Sequence, residues 1–127
     1  MTKKNSKLNN SKILICDDEE GVRESLKLIL SDDYELIVAE SGEQCLECLS
    51  NSKDIGLVLL DVKMPRMGGL EVLTKIKGAR PDLKVIIVTG YRSVEAAAEA
   101  VRLGASGYII KPFKSEEILA TVRKQVK

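Results

Sequence analysis

Five short apolar runs alternate with five amphipathic stretches along the chain, and this alternation limits the fold more than any other feature. The runs are apolar throughout, which is typical of strands buried on both faces of a sheet. The stretches between them carry apolar residues at helical spacing. The pattern predicts an α/β fold with a doubly wound, five-stranded parallel sheet and five helices. The predicted strands are Lys12–Cys16, Tyr34–Ala39, Gly56–Leu60, Lys84–Val88 and Ser106–Ile110.

Polar side chains stand where four of these strands end. Asp17 and Asp18 follow the first strand, Asp61 the third, Thr89 the fourth and Lys111 the fifth. The second strand ends on nothing distinctive, which fits an edge position. Ligands of open parallel sheets bind outside the carboxyl ends of the strands. We therefore expect these side chains to converge on one site.

The chemistry of this set indicates a divalent cation and a phosphoryl group. Crowded carboxylates are costly, since two unit charges about 5 Å apart repel by about 3 kcal/mol at an effective dielectric near 20. Oxygen ligands without histidine or thiolate favour Mg²⁺, and the chain contains no histidine. A carboxylate beside Mg²⁺ and an ammonium is suited to phosphoryl transfer. Asp61 is the candidate nucleophile.

Composition excludes several classes of protein. A net charge of +1 argues against direct nucleic-acid binding, which selects for a basic excess. No apolar run approaches the roughly 20 residues of a membrane span, so we expect a cytoplasmic protein without a membrane contact. The polar start predicts a flexible tail over residues 1–10 before a single domain over 11–127. Cys16, Cys45 and Cys48 are expected to be free thiols, with at least one of the C-x-x-C pair buried in a helix.

Four segments together carry a resemblance to a known family. They are ILICDDE (13–19), LVLLDVKMPRMGGLEVL (57–73), VIIVTGY (85–91) and GASGYIIKPF (104–113). With them the chain resembles the receiver domain of bacterial two-component response regulators, from about Lys12 to Val126. The stretch from Thr89 to Phe113 is most similar to receivers of the nitrogen-regulator class. The resemblance implies a flavodoxin-like fold with strand order 2-1-3-4-5.

The resemblance also implies a role for each site residue. Asp61 would accept the phosphoryl group, Lys111 would pair with its oxygens, and Thr89 would donate its hydroxyl to it. Tyr108 would change rotamer when Thr89 moves, and Lys111–Pro112 would be a cis peptide. The implied Mg²⁺ ligands are Asp17, Asp18, Asp61 and the backbone carbonyl of Lys63.

The same resemblance sets the expected partners. A sensor histidine kinase or histidine phosphotransfer protein would donate the phosphoryl group. The face formed by the fourth helix, fifth strand and last helix would then act on an output domain or partner protein, or form a phosphorylation-dependent dimer. Such a domain is a regulatory switch that assists only its own phosphorylation and dephosphorylation, rather than an enzyme. Both a single-domain regulator and the receiver of a longer protein are compatible with the sequence.

Other classes of protein fit the sequence less well. A haloacid-dehalogenase-type hydrolase would need a D-x-D-x-T signature, and a flavodoxin-like carrier would need a Gly- or Ser/Thr-rich loop where this chain has CDDEEG. A pure interaction module would not need every polar position filled. Departures from the family pattern are Gly68, where aspartate is frequent, and Cys16, where an aliphatic residue is usual. Lys63 and Tyr91 occupy variable positions that influence the phosphoryl lifetime, and Lys63 could attract the phosphoryl oxygens or shield them.

Overall fold

A computed structural model describes residues 12–126 and contains the predicted alternation of strands and helices. The strands begin and end within one residue of the predicted bounds. The predicted tail over residues 1–10 and its boundary with the domain lie outside the described residues. The strands are β1 (Lys12–Cys16), β2 (Glu35–Ala39), β3 (Ile55–Leu60), β4 (Lys84–Thr89) and β5 (Gly107–Ile110). The helices are α1 (Glu20–Leu30), α2 (Gly42–Asn51), α3 (Gly69–Ala79), α4 (Val94–Arg102) and α5 (Ser115–Gln125).

The sheet is parallel and its strand order is β2-β1-β3-β4-β5, which confirms the predicted fold and the edge position of β2. The register places the last residues of neighbouring strands side by side. Cys16 of β1 pairs with Leu60 of β3, and Thr89 of β4 pairs with Ile110 of β5. Because the next residues along the chain are polar, the register alone brings Asp17 beside Asp61.

Helices cover both faces of the sheet and enclose two separate cores. Successive strand residues point to opposite faces. Ile13 therefore lies in the core that includes residues of α1 and α5, whereas Leu14 lies in the core that includes residues of α2, α3 and α4. The same division holds along β3 and β4, where neighbouring residues join different cores. This double burial is why the strands are apolar throughout.

Local signals in the sequence fix the helix ends. The Ser41 hydroxyl accepts a hydrogen bond from the Gln44 backbone N–H at 3.1 Å, which is half of a capping box. The Gln44 side chain accepts from Glu40, one residue earlier than that motif requires. After α4, Gly104 has a φ of +105°, and the N–H groups of Gly104 and Ala105 donate to Val101 and Ala100. These two bonds form a Schellman motif, which explains the glycine.

The cysteines are free, as predicted: Cys16 and Cys45 are buried and Cys48 is half-buried. A hydrogen bond with Cys45 and burial both raise the pKa of the Cys16 thiol, so it stays protonated. Thiols of this kind are inert rather than catalytic. No helix within residues 12–126 is long and apolar enough to cross a membrane.

Candidate functional site

Three carboxylates meet at the carboxyl end of the sheet. Asp17 and Asp61 directly follow β1 and β3 and are only 2% and 4% exposed, whereas Asp18 is exposed. One oxygen from each lies within 4.8 Å of the others. Carboxylate oxygens so close together, with no histidine or thiolate among them, suit a hard divalent cation. The predicted acidic cluster is therefore present.

Backbone contacts fix the orientation of Asp17. Its Oδ1 accepts a hydrogen bond from the backbone N–H of Glu19 at 2.9 Å. Its own N–H donates to the carbonyl of Ala39 at the end of β2. Burial raises the pKa of the Asp17 carboxyl, and the hydrogen bonds from Lys111 and Glu19 offset only part of this effect. Positive charge near Asp17 therefore favours the ionised form of this carboxyl.

Two hydrogen bonds fix the position of Asp61, one to the end of β1 and one to the loop after β3. Its backbone N–H donates to the Cys16 carbonyl at 3.0 Å, and its Oδ1 accepts from the backbone N–H of Lys63 at 3.2 Å. Gly69, at the start of α3, lies directly behind it. A Cβ at Gly69 would stand 2.1 Å from the Asp61 carbonyl oxygen, so only glycine allows α3 to begin this close to the acid.

Lys111 lies inside the acidic cluster. Its Nζ is 2.8 Å from Asp17 Oδ2 and 3.5 Å from Asp61 Oδ2. The backbone N–H of Lys111 donates to the Thr89 carbonyl at 2.8 Å, which extends the β4–β5 pairing to this point. Burial lowers the pKa of the Lys111 ammonium, but the hydrogen bond to Asp17 and the surrounding negative charges outweigh it and raise the pKa. The ammonium is thus a permanent positive charge beside Asp61. The following peptide bond, Lys111–Pro112, is cis as expected.

Tyr91 connects the remaining predicted residues. Its backbone N–H donates to the buried Thr89 hydroxyl at 3.3 Å, and its carbonyl accepts from the Tyr108 hydroxyl at 3.0 Å. The Lys63 ammonium lies 5.2 Å from the centre of the Tyr91 ring. Thr89 and Lys63 line the cleft above Asp61, whereas Tyr108 reaches the site only through Tyr91.

Two contributors to the site did not stand out in the sequence. Glu19 lies 3.4 Å from the Lys111 ammonium. Arg23, on α1, donates to the backbone carbonyl of Asp17 at 2.8 Å and pairs with Glu40 at 3.7 Å. The acidic run Asp17–Glu20 was the available signal for Glu19. No signal in the sequence marked Arg23, because charged residues in helices usually face solvent.

Two depressions meet at Lys111 and Glu19. The smaller, about 240 Å³, lies over Asp61 and is lined by Asp18, Glu19, Asp61, Lys63, Thr89, Gly90 and Lys111. The larger, about 570 Å³, runs between the start of α1 and the segment after β5, past Ser25 and Phe113. The reactive groups lie in the smaller cleft, so the larger groove offers space beside the site rather than the site itself.

The sequence model of the response regulator receiver domain family matches residues 13–123. The chain belongs to this family. It is therefore a receiver domain of two-component response regulators, which are regulatory domains, and the resemblance carried by the four segments is confirmed.

Relatives and solved structures agree with this membership. The response regulator MprA of Mycobacterium tuberculosis (strain H37Rv) is 39% identical over 113 residues, which cover 88% of this receiver domain and 49% of that protein. The chain thus spans about half the length of the curated relatives it matches. A CheY-like receiver domain protein from Methanospirillum hungatei is 36% identical with a TM-score of 0.85, covering 90% and 91% of the two chains.

One further structure bears on the subclass of this receiver domain. The receiver domain of NtrX from Brucella abortus is 32% identical with a TM-score of 0.85, covering 90% of this chain and 97% of that one. It supports the predicted similarity to receivers of the nitrogen-regulator class.

Proposed function

We propose that this receiver domain is a phosphorylation switch in which Asp61 accepts a phosphoryl group from a phosphohistidine protein. The observation that supports it is a nearly buried carboxylate with a lysine ammonium 3.5 Å away and two further carboxylates within 4.8 Å. A buried acid beside a lysine and two further carboxylates suits reaction with a phosphoryl group, which is itself charged and binds together with a divalent cation.

The transfer follows from the contacts of Asp61. A carboxylate oxygen attacks phosphorus, a P–O bond forms, and the P–N bond to the donor imidazole breaks, with its electron pair leaving on nitrogen. The Lys63 N–H holds the other oxygen in place. Lys111 pairs with the phosphoryl oxygens, and Thr89 offers its hydroxyl from the wall of the cleft. No general base is needed, because a carboxylate nucleophile has no proton to be removed.

The residues present fit a magnesium ion. Asp17, Asp18 and Asp61 would hold it with the backbone carbonyl of Lys63, and all three carboxylates offer oxygen at compatible spacing. When bound, such an ion supplies positive charge that neutralises the phosphoryl oxygens. The chain itself contributes the Lys111 ammonium, the Thr89 hydroxyl and the Asp61 carboxylate.

The donor would dock on the larger groove beside the cleft. That groove shares Glu19 and Lys111 with the site and continues along α1 past Gly21 and Ser25. Small residues there allow close approach, and Leu28 on the same helix is 83% exposed. A sensor kinase or phosphotransfer protein is the partner proposed for this surface.

The signal would be read on the face formed by α4, β5 and α5. Phosphorylation replaces the single negative charge of the Asp61 carboxylate with about two on the phosphoryl group, and the phosphoryl oxygens would draw the Thr89 hydroxyl and disturb the Tyr91 loop to which Tyr108 is bonded. On α4, Val94 and Val101 are 81% and 62% exposed and lie on one side of the helix. An output domain, a partner protein or a second copy of the chain would contact this side.

Intact-mass measurement after incubation with acetyl phosphate and Mg²⁺ tests the proposal. The wild type should gain one phosphate, and chelation with EDTA should prevent it. Asp61→Asn should gain none, whereas Asp54→Asn, an exposed acid at the other end of β3, should behave as the wild type. Equal phosphorylation of the Asp61→Asn variant would refute the assignment.

A further inference from the structure

The Lys111 ammonium is held by three acids at once, and one of them, Glu19, is not among the predicted metal ligands or the phosphoacceptor. Its Nζ lies 2.8 Å from Asp17, 3.4 Å from Glu19 and 3.5 Å from Asp61. Asp17 and Asp61 belong to the predicted metal and phosphoryl site. Within residues 12–126, the Glu19 carboxylate makes its only polar contact with Lys111.

Two backbone hydrogen bonds fix the position of Glu19. Its N–H donates to Asp17 Oδ1 at 2.9 Å, and its carbonyl accepts from the N–H of Arg23 in the first turn of α1. Glu19 occupies the N-cap of α1 but makes no side-chain cap hydrogen bond. Helix capping therefore does not account for where its carboxylate lies, and the contact with Lys111 does.

The arrangement of charges sets up a competition. Lys111 pairs with Asp17 and Glu19 as well as with Asp61, so a phosphoryl group on Asp61 would have to share its ammonium with these acids. We propose that Glu19 is a positioning residue that holds Lys111 in the unphosphorylated site and competes with the phosphoryl group for its ammonium. This inference rests on the proposed function of Asp61.

Three variants separate the effect of the Glu19–Lys111 contact from the effect of the negative charge alone. Glu19→Gln removes the ion pair. Glu20→Gln removes an equal charge from the next residue, which is exposed and forms no ion pair within residues 12–126, so it is the matched control. Glu19→Asp keeps the charge but shortens the side chain, and it loses the 3.4 Å contact.

The rate of phosphorylation by acetyl phosphate in saturating Mg²⁺ is the first measurement. Glu19→Gln should react about threefold faster than Glu20→Gln, a factor equal to about 0.65 kcal/mol, as expected for a partly exposed ion pair. Glu19→Asp should follow Glu19→Gln. Equal rates for Glu19→Gln and Glu20→Gln, or a slower Glu19→Gln, would overturn the inference while leaving the phosphorylation of Asp61 intact. A wild type that gains no phosphate would overturn the proposed function and the competition with it.

A second measurement needs neither metal nor phosphate. Nitrogen-15 spectra of lysine ammonium groups report how strongly each group is held, and the Lys111 signal is identified by its loss in Lys111→Gln. In the metal-free wild type and in Glu20→Gln this signal should be retained. In Glu19→Gln it should broaden as exchange with water quickens, and an unchanged signal there would contradict the proposed hold of Glu19 on Lys111.

Discussion

Replacing Asp18 with asparagine should stabilise the metal-free protein, because it removes one charge from the crowded acidic cluster without changing the shape of the side chain. Asp18 is exposed, and its oxygen lies within 4.8 Å of those of Asp17 and Asp61. Asp18 makes no hydrogen bond or ion pair among the described residues that the substitution would break.

The magnitude follows from the spacing. At 4.8 Å, two like charges repel by about 3.5 kcal/mol at an effective dielectric near 20 and by about 0.9 kcal/mol at the value of water. Asp17 also neighbours Asp18 in the unfolded chain, so folding adds chiefly the repulsion from Asp61. Since Asp18 is exposed and Lys111 offsets part of the repulsion, we expect a gain of about 1 kcal/mol in the free energy of unfolding, or a Tm higher by about 4 °C.

Thermal unfolding in EDTA and in excess Mg²⁺ measures this directly. Wild type should gain stability from Mg²⁺, by mass action on the folded state, and Asp18→Asn should gain much less. Asp32→Asn, an exposed acid in the turn after α1, controls for the change in net charge. An Asp18→Asn variant that is less stable than the wild type in EDTA, or that responds to Mg²⁺ as the wild type does, would refute the reasoning.

Three further substitutions test how the site is supported, each by urea unfolding. Gly69→Ala should lower the free energy of unfolding by about 3 kcal/mol, because its Cβ would overlap the Asp61 carbonyl; Gly78→Ala, with open space around it, should instead raise it by about 0.8 kcal/mol. Ser41→Ala should cost about 1 kcal/mol through the lost cap of α2, and no loss would contradict that role. Tyr108→Phe should cost about 0.5 kcal/mol for the hydrogen bond to Tyr91, and an unchanged midpoint would show that this bond contributes nothing.

The fold could be predicted from the sequence because its signals are local and repeat. The three central strands β1, β3 and β4 are apolar on both faces, as in Ile13 and Leu14, which join different cores. In a parallel sheet the strand ends share one edge, so the residues that follow β1, β3, β4 and β5 had to meet. The convergence of Asp17, Asp61 and Lys111 therefore needed no knowledge of side-chain positions.

The contacts between loop residues could not be predicted in the same way. Whether Glu19 reaches Lys111, or Lys63 lies over the Tyr91 ring, depends on loop paths and rotamers that no periodic pattern encodes. Arg23 is an example of a contact that could not be predicted, because nothing in the sequence distinguishes it from a helical arginine that faces solvent.

Amide hydrogen exchange with and without the phosphoryl group tests most directly whether Asp61 is coupled to a distant face. In the wild type, phosphorylation should change exchange at Thr89–Tyr91 and along α4 and β5. Thr89→Ala should still be phosphorylated but should show little change on α4 and β5, because it lacks the hydroxyl that we propose would link a phosphoryl group on Asp61 to Tyr91. Changes of wild-type size on α4 and β5 in Thr89→Ala, or wild-type changes confined to the loops around Asp61, would contradict the account.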